Sequence, residues 1–318
     1  MPPLLPILAG PTASGKSALA LRVAQELGLE IIGADSRQVY AALALTTAAP
    51  SAAELAQVRH HLVGHLDLRQ PYSAGRFAQD ARELLRLREA PRPFLPFLVC
   101  GGSGFYLRPL LDPVDADLRV DPALRERVRA LAESLSPDEY RAEVLADDPE
   151  AAWIPAGDRH RLRRYHEIRL ATGEPASRVL RERVLPRPLH PLIAVLEAPL
   201  DWLEGRIRAR ARAMLEEGMV EEVRRALAAA PREAAGLGVL GVAEVEGLLA
   251  GRLDAAACVE QLTLRTRQLA RRQLTWLRGL ERREALRRLD ARRPVAELAD
   301  ELCGWWRQAR TEAEEGAR

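Results

Sequence analysis

The stretch Gly10-Pro11-Thr12-Ala13-Ser14-Gly15-Lys16-Ser17 constrains this chain more than any other. It fits the phosphate-binding pattern GxxxxGK followed by Ser or Thr, and its flanks have the right character. Leu4 to Ala9 is a short apolar run that reads as a buried strand. Ser17 to Leu27 has helical spacing at Leu19, Val23 and Leu27, with Gly28 as its stop. Leu29 to Ala34 reads as a second strand, ending at Asp35-Ser36. Strand, glycine loop, helix, strand opens a parallel α/β sheet with a right-handed crossover. Functional groups in such sheets collect beyond the C-terminal strand ends, which puts the loop and Asp35 at one edge. Backbone N–H groups of the loop would take phosphate oxygens, Lys16 would add charge, and Ser17 could reach Mg²⁺. The loop implies diphosphate or triphosphate binding, not ATP hydrolysis.

Pro93 to Cys100 is a third strand candidate, and it runs into Gly101-Gly102-Ser103-Gly104 at the same edge. Between about Pro113 and Pro188 no strand is evident, only amphipathic helical patterns such as Pro122–Glu133 and Asp158–Ala171. Leu192 to Leu196 then resumes the sheet. The chain therefore reads as a P-loop α/β core, residues 1–112 and 189–310, with an all-helical subdomain inserted at 113–188. Helices are expected over Leu200–Ala230 and Asp254–Arg283, and a frayed polar tail over 311–318.

Composition sharpens one residue. Lys16 is the only lysine among 47 basic residues, so a random survivor would land there about once in 47. An arginine fork cannot act as a compact point charge inside a tight loop, which marks Lys16 as chemically required. Net charge is +2, too small for a global argument about nucleic acid, so charge has to be read locally. No apolar run approaches the roughly 20 residues of a membrane span. The N-terminus lacks the basic region of a secretory signal, and Cys100, Cys258 and Cys303 form no CxxC pair. These features fit a cytoplasmic protein with reduced thiols.

Asp35 is open to two readings. Beyond the second strand it could ligate Mg²⁺ or act as a base; with Gln38 three residues on, it could equally cap a helix. The third strand ends Val99-Cys100-Gly101, without the acid that ATPases and GTPases commonly use as a second Mg²⁺ ligand. Three arginine clusters stand out: Arg159, Arg161, Arg163 and Arg164; Arg206, Arg208, Arg210 and Arg212; and the run Arg265–Arg283. In the last, Leu262, Leu269, Trp276 and Leu280 would line a core face beside a row of Arg267, Arg271 and Arg278. That row is either a solvated face or a rail for RNA phosphates. The adjacent His60 and His61 point apart and do not suggest a metal site.

Together these segments resemble the tRNA dimethylallyltransferase (isopentenyltransferase) family over nearly the whole chain. The resemblance rests on GPTASGKS at 10–17, ADSRQVY at 34–40, HHLVG at 60–64, YSAGRFAQDA at 72–81 and GGSGFYL at 101–107. It continues with DRHRLRRYHEIRLATGEPAS at 158–177 and RTRQLARRQLTWLRG at 265–279. The chain departs from the pattern at Thr46-Thr47-Ala48-Ala49-Pro50, at Pro155-Ala156-Gly157-Asp158 and at Gly241-Val242-Ala243-Glu244.

The resemblance implies that the loop holds the diphosphate of dimethylallyl diphosphate, with Mg²⁺ on Ser17. Asp35 would be the general base, while Lys16 and Thr12 would stabilise the charge on the leaving diphosphate. The acceptor would be the adenosine 3′ of the anticodon, flipped into a channel of a monomeric enzyme. Asp35, Ser36, Arg37, Gln38, Ser103, Arg161, Arg164, Arg267, Arg271 and Arg272 would contact the tRNA. Competing readings are a P-loop kinase of a small metabolite, a prenyltransferase acting on free adenine nucleotides, and an RNA-binding protein with a vestigial loop.

Overall fold

The computed structural model describes residues 2–86, 93–111, 120–182 and 189–316. The chain forms two compact units, residues 1–111 with 188–318, and residues 112–187. The expected boundaries near 112 and 188 lie outside the described residues.

Among its described residues the first unit carries six strands: β1 (Leu4–Ala9), β2 (Glu30–Gly33), β3 (His60–His61), β4 (Phe97–Gly101), β5 (His190–Glu197) and β6 (Leu286–Asp290). They form one parallel sheet in the order β3-β2-β4-β1-β5-β6. This is the P-loop NTPase-like arrangement expected from the opening motif. Helices α1 (Lys16–Leu27), α2 (Ala52–Gln57), α3 (Ala74–Arg86) and α4 (Gly104–Leu111) belong to its first half. The second unit holds α5 (Pro122–Ser134), α6 (Pro137–Asp147), α7 (Arg159–Thr172) and α8 (Ala176–Glu182), and no strand among its described residues. Then α9 (Leu200–Glu216), α10 (Met219–Ala229), α11 (Val242–Leu249), α12 (Ala255–Glu281) and α13 (Val295–Gly316) complete the first unit.

β1 is buried along its whole length because helices cover both faces of the sheet. Leu5, Ile7 and Ala9 point into one core cluster with Phe77, Tyr106 and Leu277. Leu4 and Leu8 point into the other with Leu19, Val23, Leu302 and Trp306. The second unit has its own core of Tyr140, Val144, Ala151, Ile154 and Leu162.

Two expectations need correction, and two strands are added. The helix read over Leu200–Ala230 is two helices, broken at Gly218, whose φ of 109° suits glycine. The tail does not fray at Thr311: α13 runs to Gly316 and buries Ala313. β6 and the two-residue β3 are additional edge strands, and β3 is where His60-His61 sits. His61 Nε2 there meets Glu30 Oε2 at 2.6 Å, and His60 Nδ1 meets the Val58 carbonyl at 2.8 Å.

Candidate active site

Strand register builds the site. β1 pairs Ala9 with Gly101 of β4, and β2 pairs Gly33 with Cys100, so three strands end level. The P-loop, Asp35 and the Gly101–Gly104 loop therefore share one edge. A Cβ on Gly102 would stand 2.4 Å from the Gly10 carbonyl oxygen and 2.6 Å from Gln273 Nε2, a spacing only glycine allows.

Within the P-loop, Ala13 adopts a φ of 64°, which a residue with a Cβ rarely takes. Both sides of it are tied down. The Thr12 N–H donates to Gln273 Oε1 at 2.8 Å, and Arg206 Nε donates to the Ala13 carbonyl at 2.8 Å. The Ser14 hydroxyl is buried without a partner. Lys16 Nζ reaches only the Pro11 carbonyl, at 3.2 Å. Burial lowers the Lys16 pKa, and the nearby charge of Asp35 opposes that fall. A buried ammonium and an orphaned hydroxyl beside a helix N-terminus are a site for an anion.

Asp35 does not cap a helix, because none follows it until the short 3₁₀ turn Ala41–Leu43. Gln38 instead donates to the carbonyls of Thr47 and Ala48. Arg37 grips the carboxylate: its N–H and Nε reach Oδ1 at 3.0 and 3.2 Å, and Nη2 reaches Oδ2 at 3.0 Å. Burial pushes the Asp35 pKa up, but the Arg37 charge and hydrogen bonds, with Lys16, outweigh it and leave the carboxyl below its ordinary value.

Next to the P-loop opens a cavity lined by Thr12, Ala13, Arg37 and Thr46–Ala48. Ile207, Ala211, Met214, Met219, Leu240 and Leu262 give it an apolar lining, and Arg210 and Thr266 line it too. Arg210 is half-buried and has no hydrogen-bond or ion-pair partner among the described residues. Burial, then the charges of Arg206 and Arg37, lower its pKa. Glu222 fixes the Thr46 edge of the cavity, accepting from the N–H groups of Leu45 and Thr46 and from the Thr46 hydroxyl.

The structure thus gathers Thr12, Lys16, Ser17, Asp35, Arg37 and Ser103 at one edge. Ser103 opens α4, its carbonyl accepting from Tyr106 and Leu107, while Ser36 is exposed. Arg161 and Arg164 stand on α7 in the second unit. On α12, Arg267 Nε is held by Glu204 at 2.6 Å, whereas Arg271, Arg272 and Arg278 are exposed. The buried face of that helix differs from the expected stripe: Leu269 and Trp276 are only half-buried, and Ala270, Gln273 and Leu277 are buried instead. Gln273 is a site residue that the sequence did not mark, and Arg206 and Arg210 were marked there only as members of an arginine cluster, not as part of the donor site. The first is a polar residue inside a core face, and the other two were indistinguishable from surface arginines.

Among the described residues no group of three His, Cys, Asp or Glu side chains could hold a metal. The donors at the loop are the Ser17 hydroxyl and a carboxylate already engaged by Arg37. Such a set suits an Mg²⁺ carried mostly by phosphate oxygens and water, not a protein cage. No described helix is long and apolar enough to cross a membrane.

Comparison with known proteins agrees with this geometry. Residues 38–280 match the IPP transferase family. The tRNA dimethylallyltransferase of Desulfovibrio desulfuricans is 42% identical over 274 residues, covering 86% of this chain and 84% of that protein. That of Methylibium petroleiphilum is 40% identical, covering 93% of each. Among solved structures, the tRNA isopentenylpyrophosphate transferase of Bacillus halodurans superposes with a TM-score of 0.69 at 25% identity, covering 99% of both chains. A eukaryotic dimethylallyltransferase acting on tRNA gives a TM-score of 0.76 at 27% identity, over 91% of this chain and 74% of that one.

Proposed function

This chain belongs to the IPP transferase family, and from that premise we propose that it prenylates tRNA. It moves the dimethylallyl group of dimethylallyl diphosphate onto the exocyclic amino group of the adenosine 3′ of the anticodon, releasing diphosphate. The observation that carries this reading is the cavity: Thr12 and Ala13 of the anion loop line it together with Arg210 and six apolar side chains. A diphosphate with a short hydrocarbon tail fits that division of chemistry. A kinase would need polar contacts for a ribose and base in the same lining.

The adenine amino group is a poor nucleophile because its lone pair is delocalised into the ring. As it attacks the allylic carbon, a C–N bond forms, the C–O bond to diphosphate breaks, and the amine proton must leave. Asp35 is the acceptor for that proton. In the present geometry Arg37 occupies both carboxylate oxygens, so the incoming base has to displace at least one of its hydrogen bonds. Lys16, the loop N–H groups, the Ser14 hydroxyl and Arg210 stabilise the charge that grows on the leaving diphosphate. Thr12 and Ser103 add hydroxyls at the same edge. Mg²⁺, held in part by Ser17, supplies further neutralisation of the diphosphate when bound.

The tRNA is gripped by arginines outside the donor site. Arg161 and Arg164 serve from the helical unit, and Arg271 and Arg272 from α12, with Ser36, Arg37 and Gln38 near the base. Arg267, engaged by Glu204, contributes least of these. Unstacking the target base costs a few kcal/mol, which phosphate contacts offset.

The test is to incubate the protein with Mg²⁺, dimethylallyl diphosphate and unmodified tRNA, digest the RNA and look for prenylated adenosine by mass spectrometry. Asp35→Ala is expected to abolish transfer while tRNA binding survives; loss of both together would remove Asp35 from its role as base. Transfer to free AMP, or phosphorylation from ATP, in place of transfer to RNA would overturn the proposal.

A further inference from the structure

Trp153 is the one tryptophan of five that is largely exposed, at 58%; Trp202, Trp276 and Trp305 are partly covered and Trp306 is buried. It ends the 3₁₀ turn Pro149–Trp153 in the helical unit. Its backbone is firmly placed. Ala151 and Ile154 on either side are fully buried, and Arg141 donates to the carbonyls of Ala152 and Ile154 at 2.6 and 2.8 Å. The ring is placed as well. The Arg161 guanidinium lies over it, 5.3 Å from the centroid, and Tyr165 meets it edge-on with centroids 6.2 Å apart. Arg161 is itself fixed by Asp158, at 3.0 Å.

Exposing an indole to water forgoes the burial that places most large aromatic side chains in a core. Trp153 is not among the members of the unit's core of Ala132, Tyr140, Val144, Ala151, Ile154 and Leu162. Exposed aromatic rings and guanidinium planes are the surfaces on which proteins stack unstacked nucleobases, and here the two lie together, the guanidinium over the indole. The ring offers a π face, and the arginine offers charge to the adjoining phosphate.

We propose that Trp153 is a stacking platform for a base of single-stranded RNA, with Arg161 as its phosphate-side partner. It gives the helical unit a contact that grips an RNA loop by base stacking and not by charge alone. The platform sits next to Pro155-Ala156-Gly157-Asp158, which leads into α7 and Arg161. The inference rests on the reading that the protein acts on tRNA.

The experiment uses the full-length protein and an anticodon stem-loop RNA. Trp153→Ala should weaken RNA binding about tenfold while leaving the slope of log K against log salt unchanged, because stacking releases no counterions. Trp153→Phe should recover most of the affinity, and KM for dimethylallyl diphosphate should not move. Arg161→Ala, by contrast, should lower the salt slope, by at most about 0.7 because Asp158 already neutralises part of its charge. RNA should quench tryptophan fluorescence in the wild type more than in Trp153→Phe. Unchanged affinity in Trp153→Ala, or a loss that appears only as a reduced salt slope, would overturn the platform. Should the wild type neither bind nor prenylate RNA, the proposed function fails; should it do both while Trp153→Ala is silent, only this inference fails.

Discussion

Arg37 holds both oxygens of the Asp35 carboxylate, two residues away, in an ion pair that is largely shielded from solvent. The arrangement keeps the carboxyl below its ordinary value inside a site where burial alone would raise its pKa. It also makes the carboxylate a weak base until the pair is loosened, so Arg37 sets the balance between a base that is present and one that is strong.

Removing Arg37 should expose that balance. In the wild type the Asp35 pKa lies below 3.8, so its protonation should leave no acid limb in kcat/KM near neutral pH. Arg37→Leu leaves burial as the dominant influence, which raises the pKa, and an acid limb should then move up from that range. Stability follows with opposite signs. The depressed carboxyl of the wild type contributes stability above 3.8 that is lost as pH falls through its folded pKa. The raised carboxyl of the variant should instead make it more stable as pH falls from neutral towards 4. At neutral pH the variant should be weaker by about 2–3 kcal/mol. Thermal melts and pH–rate profiles on both proteins check this; an unshifted acid limb would show that Arg37 does not govern Asp35.

The cavity predicts donor length. Met214 belongs to the apolar lining, and shortening it removes several heavy atoms that a five-carbon tail would touch. Met214→Ala should raise the ratio of kcat/KM for geranyl over dimethylallyl diphosphate by roughly tenfold or more, the usual worth of a methylene-scale pocket change. Inhibition by inorganic diphosphate should stay within about twofold of wild type, because the anion loop is untouched. If both donors lose activity in parallel, the lining does not measure chain length.

Most of the sheet was legible because β1, β2, β4 and β5 are continuous apolar runs, the signature of strands buried on both faces. β3 and β6 were not. They are edge strands of polar sequence, His60-His61 and Leu286–Asp290, in which only Leu289 is buried. The break at Gly218 was offered by a glycine, yet the flanking periodicity is strong enough to read through it. In the site, Lys16 was legible as the sole lysine and Asp35 as the residue ending a strand. Gln273 and Arg210 were hidden for opposite reasons. A buried amide interrupts an apolar stripe without announcing its partner, and one half-buried arginine looks like its solvated neighbours until the packing is known.

Exposure separates the arginines of α12 into two kinds. Arg271 and Arg278 are exposed and without partners among the described residues, whereas Arg267 is neutralised by Glu204 and approached by Asp201. The double variant Arg271→Ala with Arg278→Ala should weaken tRNA binding and lower the salt slope by about 1–2. Arg267→Ala should leave that slope nearly unchanged and instead cost up to about 1 kcal/mol of stability, as expected for a half-exposed ion pair. Titrations at three salt concentrations distinguish the two patterns. Equal slopes for all three proteins would assign the whole row to solvent.

Gln273 makes the most specific prediction about the donor loop. A non-glycine residue in the left-handed region costs about 1–2 kcal/mol and persists only where its surroundings hold it. For Ala13 the holders are Gln273 on the Thr12 N–H and Arg206 on its own carbonyl, one from α12 and one from α9. Gln273→Met keeps the volume and removes the acceptor, so the loop should relax and bind diphosphate about tenfold more weakly, while the anticodon stem-loop binds as before. Ala13→Gly removes the conformational cost, so a loop with glycine there has less need of the clamp. The loss caused by Gln273→Met should therefore shrink to about threefold or less in an Ala13→Gly background, a coupling of roughly 0.7 kcal/mol or more in a double-mutant cycle. Calorimetric titration of diphosphate into the four proteins measures it. Strict additivity would mean that Gln273 packs beside the loop without holding it in its binding conformation.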